Sequence, residues 1–312
     1  MALGTGMEQL DIGLLQGSPA RRRKEALIKN AFLAMASISI VISAAIVFSL
    51  FGEALRFVRE VDLSALWSAG WFPRRGIYDI KTVFVGTMLV SLIAMLVAAP
   101  LGLGAAVYLS EYARPRIRRL LKPVLEILAG IPSVVLGFFA LTWISPEVVQ
   151  RFFPRAASFN MAAAGIAVGI LVTPLVASIA EDALRSVPMA LREAAYGIGA
   201  KKRTTTVSIV IPAAVSGIVA GFIVGISRAV GETMVVAIAA GATGGALFTL
   251  DPLQPGQTMT AAMTALATGS DQVKGAANTF QSMFFLGLLL FFMTLVLNVI
   301  SERYVRRVRA RY

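Results

Sequence analysis

The chain has 312 residues, of which 57% are apolar and 15% charged, and several uncharged runs reach about 20 residues, enough for a helix to cross a membrane. This composition and the mean hydropathy of +0.77 exclude an ordinary soluble domain, and the lack of Cys and His excludes disulfides, thiol chemistry and the usual zinc sites. The net charge of +12 does not indicate nucleic-acid binding, because Lys and Arg fall in short clusters beside the apolar runs.

The apolar runs predict an all-α polytopic membrane protein with six transmembrane helices. In chain order, these are predicted at residues 31–51, 82–110, about 123–145, within 156–180, 209–241 and within 275–301. The corresponding division is a cytoplasmic N-terminal tail (1–30), a first helix with its following loop (31–81), a membrane domain of five helices (82–302) and a basic C-terminus (303–312).

The distribution of basic residues predicts the orientation in the membrane. Twenty Lys and Arg lie in the N-terminal segment, the second and fourth loops and the C-terminal segment, against eight in the other three loops. Because cytoplasmic loops carry the excess of basic residues, both termini and the loop at 181–208 are predicted to be cytoplasmic. The predicted location is a bacterial inner (cell) membrane.

Two features within the predicted helices have structural interpretations. Glu126 follows Lys122 by one helical turn near the start of the third predicted helix, which favours an ion pair at the membrane interface. Gly217, Gly221 and Gly225 form a stripe of small residues that favours close helix packing, with a second permease subunit as one candidate partner.

The loop at 181–208 combines apolar and charged residues. Between Arg192 and Gly199, the pattern predicts a short amphipathic helix ended by glycine. Such a helix lies either in the groove of a partner protein or on the membrane surface, and composition does not decide between them.

The identity of the loop residues decides in favour of a partner. Glu193, Ala194 and Ala195, then Gly199 after three residues, and the segment Ile209-Val-Ile-Pro212 nine residues later, resemble the EAA motif of ABC importer permeases, with Ile211 in place of a Leu. The resemblance covers about residues 83–302 and implies a type I ABC importer permease fold. It also implies that residues 192–199, including Arg192, form a coupling helix that docks on a separate ATPase.

Four further strings resemble the permeases of phosphate importers, in particular the C-type subunit. They are APLGLGAAVYLSEYA (99–113), LKPVLEILAGIPSVVLGFFAL (121–141), SIAEDALRSVP (178–188) and SRAVGETM (227–234). Leu136 replaces a frequent Tyr of the third-helix string. The A-type sister subunit shares the Arg and Gly-Glu-Thr positions, so it stays an alternative, as does import of molybdate, tungstate or sulfate.

Arg228 carries the physical case for an anion pathway. An Arg within a membrane helix costs about 2.5–3.5 kcal/mol on insertion scales, so it is expected to face a bundle interior or an aqueous cavity. Its planar guanidinium matches phosphate oxygens, and Glu232, one turn further on, can hold it when the pathway is empty. Glu232 could also accept a hydrogen bond from a protonated phosphate hydroxyl, which sulfate lacks. A purely structural ion pair between helices is the alternative, and the resemblance adds Thr233 and Ser133 to the predicted pathway.

The resemblance also implies the partners. These are a second permease subunit (PstA-like), an ATPase dimer (PstB-like), an extracytoplasmic phosphate-binding protein (PstS-like) and membrane lipid. The chain itself is expected to bind no cofactor and to catalyse no reaction, since the partner ATPase uses ATP and magnesium. An intramembrane enzyme is disfavoured by the lack of His and Cys, and a secondary transporter by the lack of visible inverted repeats.

Overall fold

A computed structural model describes residues 19–241, 244–268 and 278–309, with side chains from 23 to 303 within those ranges. The chain divides into two units, Met1–Leu50 and Phe51–Tyr312. In the first unit the described residues belong to a single helix, α1 (Pro19–Glu60), which continues past the boundary. Apolar side chains of this unit, such as Phe32, Ile40 and Phe48, are exposed, as expected for a helix surrounded by lipid.

The second unit contains the other described elements. Its helices are α2 (Ile80–Val107), α3 (Pro115–Ala129), α4 (Ser133–Phe139), α5 (Met161–Arg185), α6 (Met189–Gly197), α7 (Lys202–Thr205), α8 (Ile211–Val230), α9 (Met234–Ala239), α10 (Met259–Ala267) and α11 (Thr279–Arg309). Short π-helical segments at Tyr108–Tyr112, Ala140–Gln150 and Thr206–Val210 extend α2 and α4 and join α7 to α8. Short 3₁₀ turns occupy Leu63–Trp67 and Pro73–Arg75.

Six of the described helical segments are long and apolar enough to cross a membrane, which confirms the predicted number. They are Arg23–Glu60, Ile80–Tyr112, Ser133–Gln150, Met161–Arg185, Lys202–Val230 and Thr279–Arg303. The all-α class is also confirmed, with one small antiparallel sheet added. That sheet has the strand order β2 (Ile77–Tyr78), β1 (Gly70–Phe72) and β3 (Ala246–Leu247), with Trp71 opposite both Tyr78 and Ala246.

The main core forms where α5 packs against α2, against α4 with its π-helical extension, and against α9. Along α5, small residues let the backbones approach: a methyl group added at Gly165 or Gly169 would lie 2.7 Å from Ile93 or Val97 of α2. Among the six membrane helices, α5 is consequently the most buried, with 61% of its most apolar 18-residue stretch buried inside the protein. Between helices in lipid the hydrophobic driving force is weak, so the close van der Waals packing that these small residues allow stabilises the contact.

The third membrane helix is shifted from its predicted position at 123–145. Pro132 disfavours helical geometry at the residue before it, and the chain separates at Gly130–Pro132 into the surface helix α3 and the membrane segment Ser133–Gln150. The predicted ion pair between Lys122 and Glu126 is wrong. The Lys122 ammonium instead lies 3.4 Å from a carboxylate oxygen of Glu181 and 3.6 Å from one of Asp182.

The fifth membrane helix also differs from its prediction at 209–241. It begins earlier, at Lys202, and ends at Val230, where Gly231 follows as the C-cap residue. The chain then turns at Glu232 and Thr233 and re-enters a short helix, α9. Hydropathy does not reveal this interruption, because the residues on both sides of it are apolar.

The glycine stripe of α8 packs within this chain. Gly217 faces Ala183, Gly221 faces Ile179, and a methyl group added at Gly225 would lie 2.8 Å from Val176. All three neighbours belong to α5. The prediction of close packing is confirmed, but a second subunit as the partner of this stripe is wrong, because α5 already occupies it.

Candidate functional site

The predicted coupling helix is present as α6, with bounds shifted toward the N-terminus. It begins after Pro188, whose fixed φ and missing N–H suit a helix start, and its last helical residue is Gly197. Gly199, the predicted terminating glycine, has φ +81°, a left-handed conformation that other residues rarely adopt. The chain therefore leaves the helix sharply and enters α7 three residues later.

Arg192 fastens α6 to the membrane helices. Its guanidinium donates to the backbone carbonyls of Val187 and Leu184, at 2.6 and 2.9 Å, and to a carboxylate oxygen of Glu111 at 2.9 Å. The side chains of Arg192 and Glu111 are only 11% and 5% exposed. Arg192 belongs to the predicted coupling helix, and its contacts tie this helix to the end of the second membrane helix.

The opposite face of α6 is open. Glu193 and Ala194 are exposed, whereas Ala195 is buried against the protein. Large apolar side chains project from the same segment, with Met189, Tyr196 and Ile198 exposed and Ile198 86% so. A short helix that shows apolar and acidic groups together has the character of a protein-docking surface.

An apolar cluster connects the loop before α6 to three membrane helices. Its buried members are Ala106, Ala180, Leu184, Val187, Val210, Ala214 and Ile218. Because these side chains belong to α2, α5, the loop before α6 and the Thr206–Ile218 stretch, a displacement of this loop at Val187 strains the packing of all three membrane helices. Close-packed interiors transmit strain of this kind.

A second charged cluster joins α3 to α5 and has no counterpart among the predicted site residues. Glu181, 1% exposed, accepts a hydrogen bond from Arg118 and lies within 3.4 Å of Lys122. The cluster joins α3 to the end of α5. The partners are separated by about 60 residues of sequence, and no local pattern pairs them.

The predicted anion site is centred on the ion pair of Arg228 and Glu232. A guanidinium nitrogen of Arg228 lies 3.0 Å from Glu232, whose side chain is 3% exposed, whereas the side chain of Arg228 is 48% exposed. Glu232 also accepts from the backbone N–H of Val235, at 3.4 Å, in the first turn of α9. One face of the guanidinium thus remains open while its carboxylate partner is held in the protein.

The helix interruption explains why this carboxylate is fixed. Arg228 lies in the last turn of α8, where the free backbone carbonyls favour a cation, and Glu232 lies just before α9, where free N–H groups favour an anion. The carbonyl of Glu232 accepts from the Thr260 hydroxyl at 2.7 Å. Thr260 in turn contacts the Thr258 hydroxyl at 3.0 Å. These threonines were not predicted, although the polar Gln-Thr-Met-Thr run at 257–260 was a signal.

The two remaining predicted pathway residues occupy the neighbouring helix starts. Thr233 follows Glu232 directly, and its hydroxyl donates to the carbonyl of Gly231 at 3.3 Å. Ser133 is the first residue of α4, which packs on α9 where Gly137 meets Val235 and Ile238. The structure brings α4 and α9 together, but no hydrogen bond joins Ser133 to the Arg228–Glu232 pair.

These features have counterparts among known proteins. Residues 98–311 match the family model of the binding-protein-dependent transport system inner membrane component. The chain belongs to this family. The family describes an inner membrane component of a transport system, in agreement with the six described helices that are long and apolar enough to cross a membrane.

Among the relatives of this permease are two phosphate transport system permease proteins named PstC. The one from Mesorhizobium japonicum is 28% identical over 305 residues, covering 92% of this chain and 91% of its own. The one from Xylella fastidiosa (strain 9a5c) is 31% identical over 261 residues, covering 77% and 78%.

A solved structure shares the fold at low sequence identity. It is a chain of a bacterial ABC transporter involved in the import of the acidic polysaccharide alginate, with a TM-score of 0.61 and 14% identity, covering 91% of this permease and 99% of that chain. The predicted type I ABC importer permease fold is confirmed.

Proposed function

We propose that this permease is the C-type membrane subunit of an ATP-driven importer of inorganic phosphate. The observation that carries the proposal is the match to a PstC phosphate permease over more than nine-tenths of both chains. The exposed guanidinium of Arg228 supports it, because a permanently charged planar fork is suited to phosphate oxygens.

In this proposal the chain transmits motion and a partner hydrolyses ATP with magnesium. The exposed face of α6 docks on an ATPase dimer of the PstB type, with Glu193, Ala194 and Gly199 at or near the contact. Closure of the ATPase moves α6, and the Arg192–Glu111 pair and the apolar cluster around Val187, in the loop before α6, carry the movement into α2, α5 and α8. The two arrangements of the helices then differ in their contacts with the ATPase, as a coupled switch requires.

The orientation and partners follow the same proposal. Both termini and α6 face the cytoplasm of a cell whose inner membrane holds the permease, in accord with the excess of basic residues on that side. An extracytoplasmic phosphate-binding protein of the PstS type delivers the substrate, and a second permease subunit of the PstA type completes the pathway.

Arg228 and Glu232 form the anion gate. With the pathway empty, Glu232 neutralises part of the guanidinium charge at 3.0 Å. When phosphate enters, the open face of Arg228 binds its oxygens, and Glu232 accepts a hydrogen bond from a protonated phosphate hydroxyl. Thr233 and Ser133, at the adjoining helix starts, offer hydroxyl groups to the same passage.

The test is phosphate uptake by cells whose own phosphate importers are deleted and which express the full importer. Arg228→Gln removes the charge and is expected to lower the initial uptake rate at least tenfold, because the loss of a single charge-assisted hydrogen bond already corresponds to about that factor. Arg151→Gln, at the exposed end of the third membrane helix, is the matched control and keeps the uptake rate. Co-purification of the ATPase with each variant shows that the importer assembles. If the assembled Arg228→Gln importer takes up phosphate at the control rate, Arg228 is not part of the phosphate pathway.

A further inference from the structure

The surface helix α3 borders a basic cavity that the transport mechanism does not use. The cavity has a volume of about 540 Å³ and lies between α3, the end of the second membrane helix and the end of α5. Four cations line it, Arg118, Arg119, Lys122 and Arg185, against one carboxylate, Glu126. A cavity of this size and charge suits a phosphate-bearing group.

Two of these cations are already engaged within the protein. Arg118 and Lys122 share the buried carboxylate of Glu181. Arg119 donates only to the carbonyl of Pro115, at 3.4 Å, and neither Arg119 nor Arg185 has a carboxylate partner in the part of the chain that the structure describes. Glu126 offsets only part of the charge of Arg119 and Arg185, so the cavity keeps a net positive charge.

The other face of α3 is apolar and exposed. Ile117, Leu120, Val124 and Ile127 recur at helical spacing on the side opposite the cations, and none of the residues of α3 is buried. A helix with basic and apolar faces, attached to a membrane domain, lies in the plane of the membrane interface with its apolar face among the acyl chains. This placement puts the cations of the cavity at the depth of lipid headgroups.

We infer that this cavity binds the headgroup of an anionic phospholipid. The lipid phosphate lies against Arg119 and Arg185, and its acyl chains pass beside α3 into the membrane, at the depth of the exposed apolar residues of α3. Charge complementarity and the exposed apolar side chains favour a lipid over a soluble anion, because a soluble anion would use the cations and leave the apolar face uncovered. The bound lipid fixes α3, and through Glu181 the end of α5, close to α6.

The experiment is a titration of the purified full-length chain in a neutral detergent with phosphatidylglycerol, and separately with phosphatidylcholine, followed by native mass spectrometry. Phosphatidylglycerol is expected to bind more tightly than phosphatidylcholine. Each basic residue near an anionic lipid contributes about fivefold in affinity, so Arg119→Gln with Arg185→Gln is expected to raise the dissociation constant of phosphatidylglycerol about 25-fold. The matched control is Arg151→Gln with Arg155→Gln, two exposed cations outside the cavity, which keeps the affinity within twofold.

Further variants separate charge, folding and the source of the phosphate. Arg119→Lys with Arg185→Lys keeps the charge and is expected to keep lipid binding, and helical circular dichroism shows that the Gln variant is folded. Inorganic phosphate at millimolar concentration is expected to leave the lipid bound, and displacement of the lipid by phosphate would overturn the proposal. The proposal would also be overturned if the folded Gln variant and the control bound phosphatidylglycerol with equal affinity. Loss of the preference for phosphatidylglycerol over phosphatidylcholine once the ATPase is bound would overturn it as well.

Discussion

The link between α6 and the membrane helices depends on Arg192, and its removal has a local effect that can be calculated. Arg192→Gln removes the charge-assisted hydrogen bond to Glu111 and leaves that carboxylate, 5% exposed, without its cation. A hydrogen bond to a charged group contributes about 1.5–3 kcal/mol, which corresponds to about a ten- to 150-fold higher population of the state in which α6 is detached.

Hydrogen exchange measures this population directly. In the purified chain, amides of α6 are expected to exchange about ten- to 150-fold faster in Arg192→Gln, while amides of α5 away from its end keep their rate. Glu193→Gln alters the adjacent exposed residue and is the matched control, with unchanged exchange. Because Arg192 and Glu111 act as a pair, adding Glu111→Gln to Arg192→Gln should have little further effect. Exchange in α6 of Arg192→Gln within twofold of the unmodified chain would contradict the positioning role of Arg192.

Two further predictions concern packing and the helix interruption. Gly217→Ala places a methyl group against α5 and is expected to lower the free energy of unfolding by about 1–3 kcal/mol, whereas Gly104→Ala, whose methyl group meets open space, is neutral or stabilising. Thermal unfolding in detergent compares the two variants, and equal effects would contradict the packing of the glycine stripe against α5. Thr260→Val removes the hydroxyl that donates to the carbonyl of Glu232 and is expected to lower the free energy of unfolding by about 1–3 kcal/mol in the same assay. The Thr264 hydroxyl bonds within its own helix, so Thr264→Val is expected to lower it less, and the reverse order would contradict the role of Thr260 at the interruption.

The sequence was sufficient for features that depend on local composition. Uncharged runs identify six membrane helices, and the spacing of Glu193, Ala194, Ala195 and Gly199 locates the helix α6. The pair of Arg228 and Glu232 could be predicted because its members are four residues apart. Each of these features lies within one short segment, so its periodicity or spacing can be read directly from the sequence.

Features that depend on distant partners were beyond the sequence. Arg192 and Glu111 are separated by 81 residues and Arg118 and Glu181 by 63, so neither pair has a local signature. The interruptions at Gly130–Pro132 and at Gly231 were also missed as helix ends. Hydropathy averages over a window, and a short break between two apolar stretches does not lower that average.

The function is tested most directly by reconstituting the permease with its co-purifying subunits in liposomes and measuring phosphate uptake. The account predicts that phosphate accumulates only when ATP is supplied on the side of α6 and a phosphate-binding protein on the other, and that sulfate and molybdate do not accumulate. Phosphate entry that continues without ATP, or accumulation of sulfate or molybdate in place of phosphate, would contradict it.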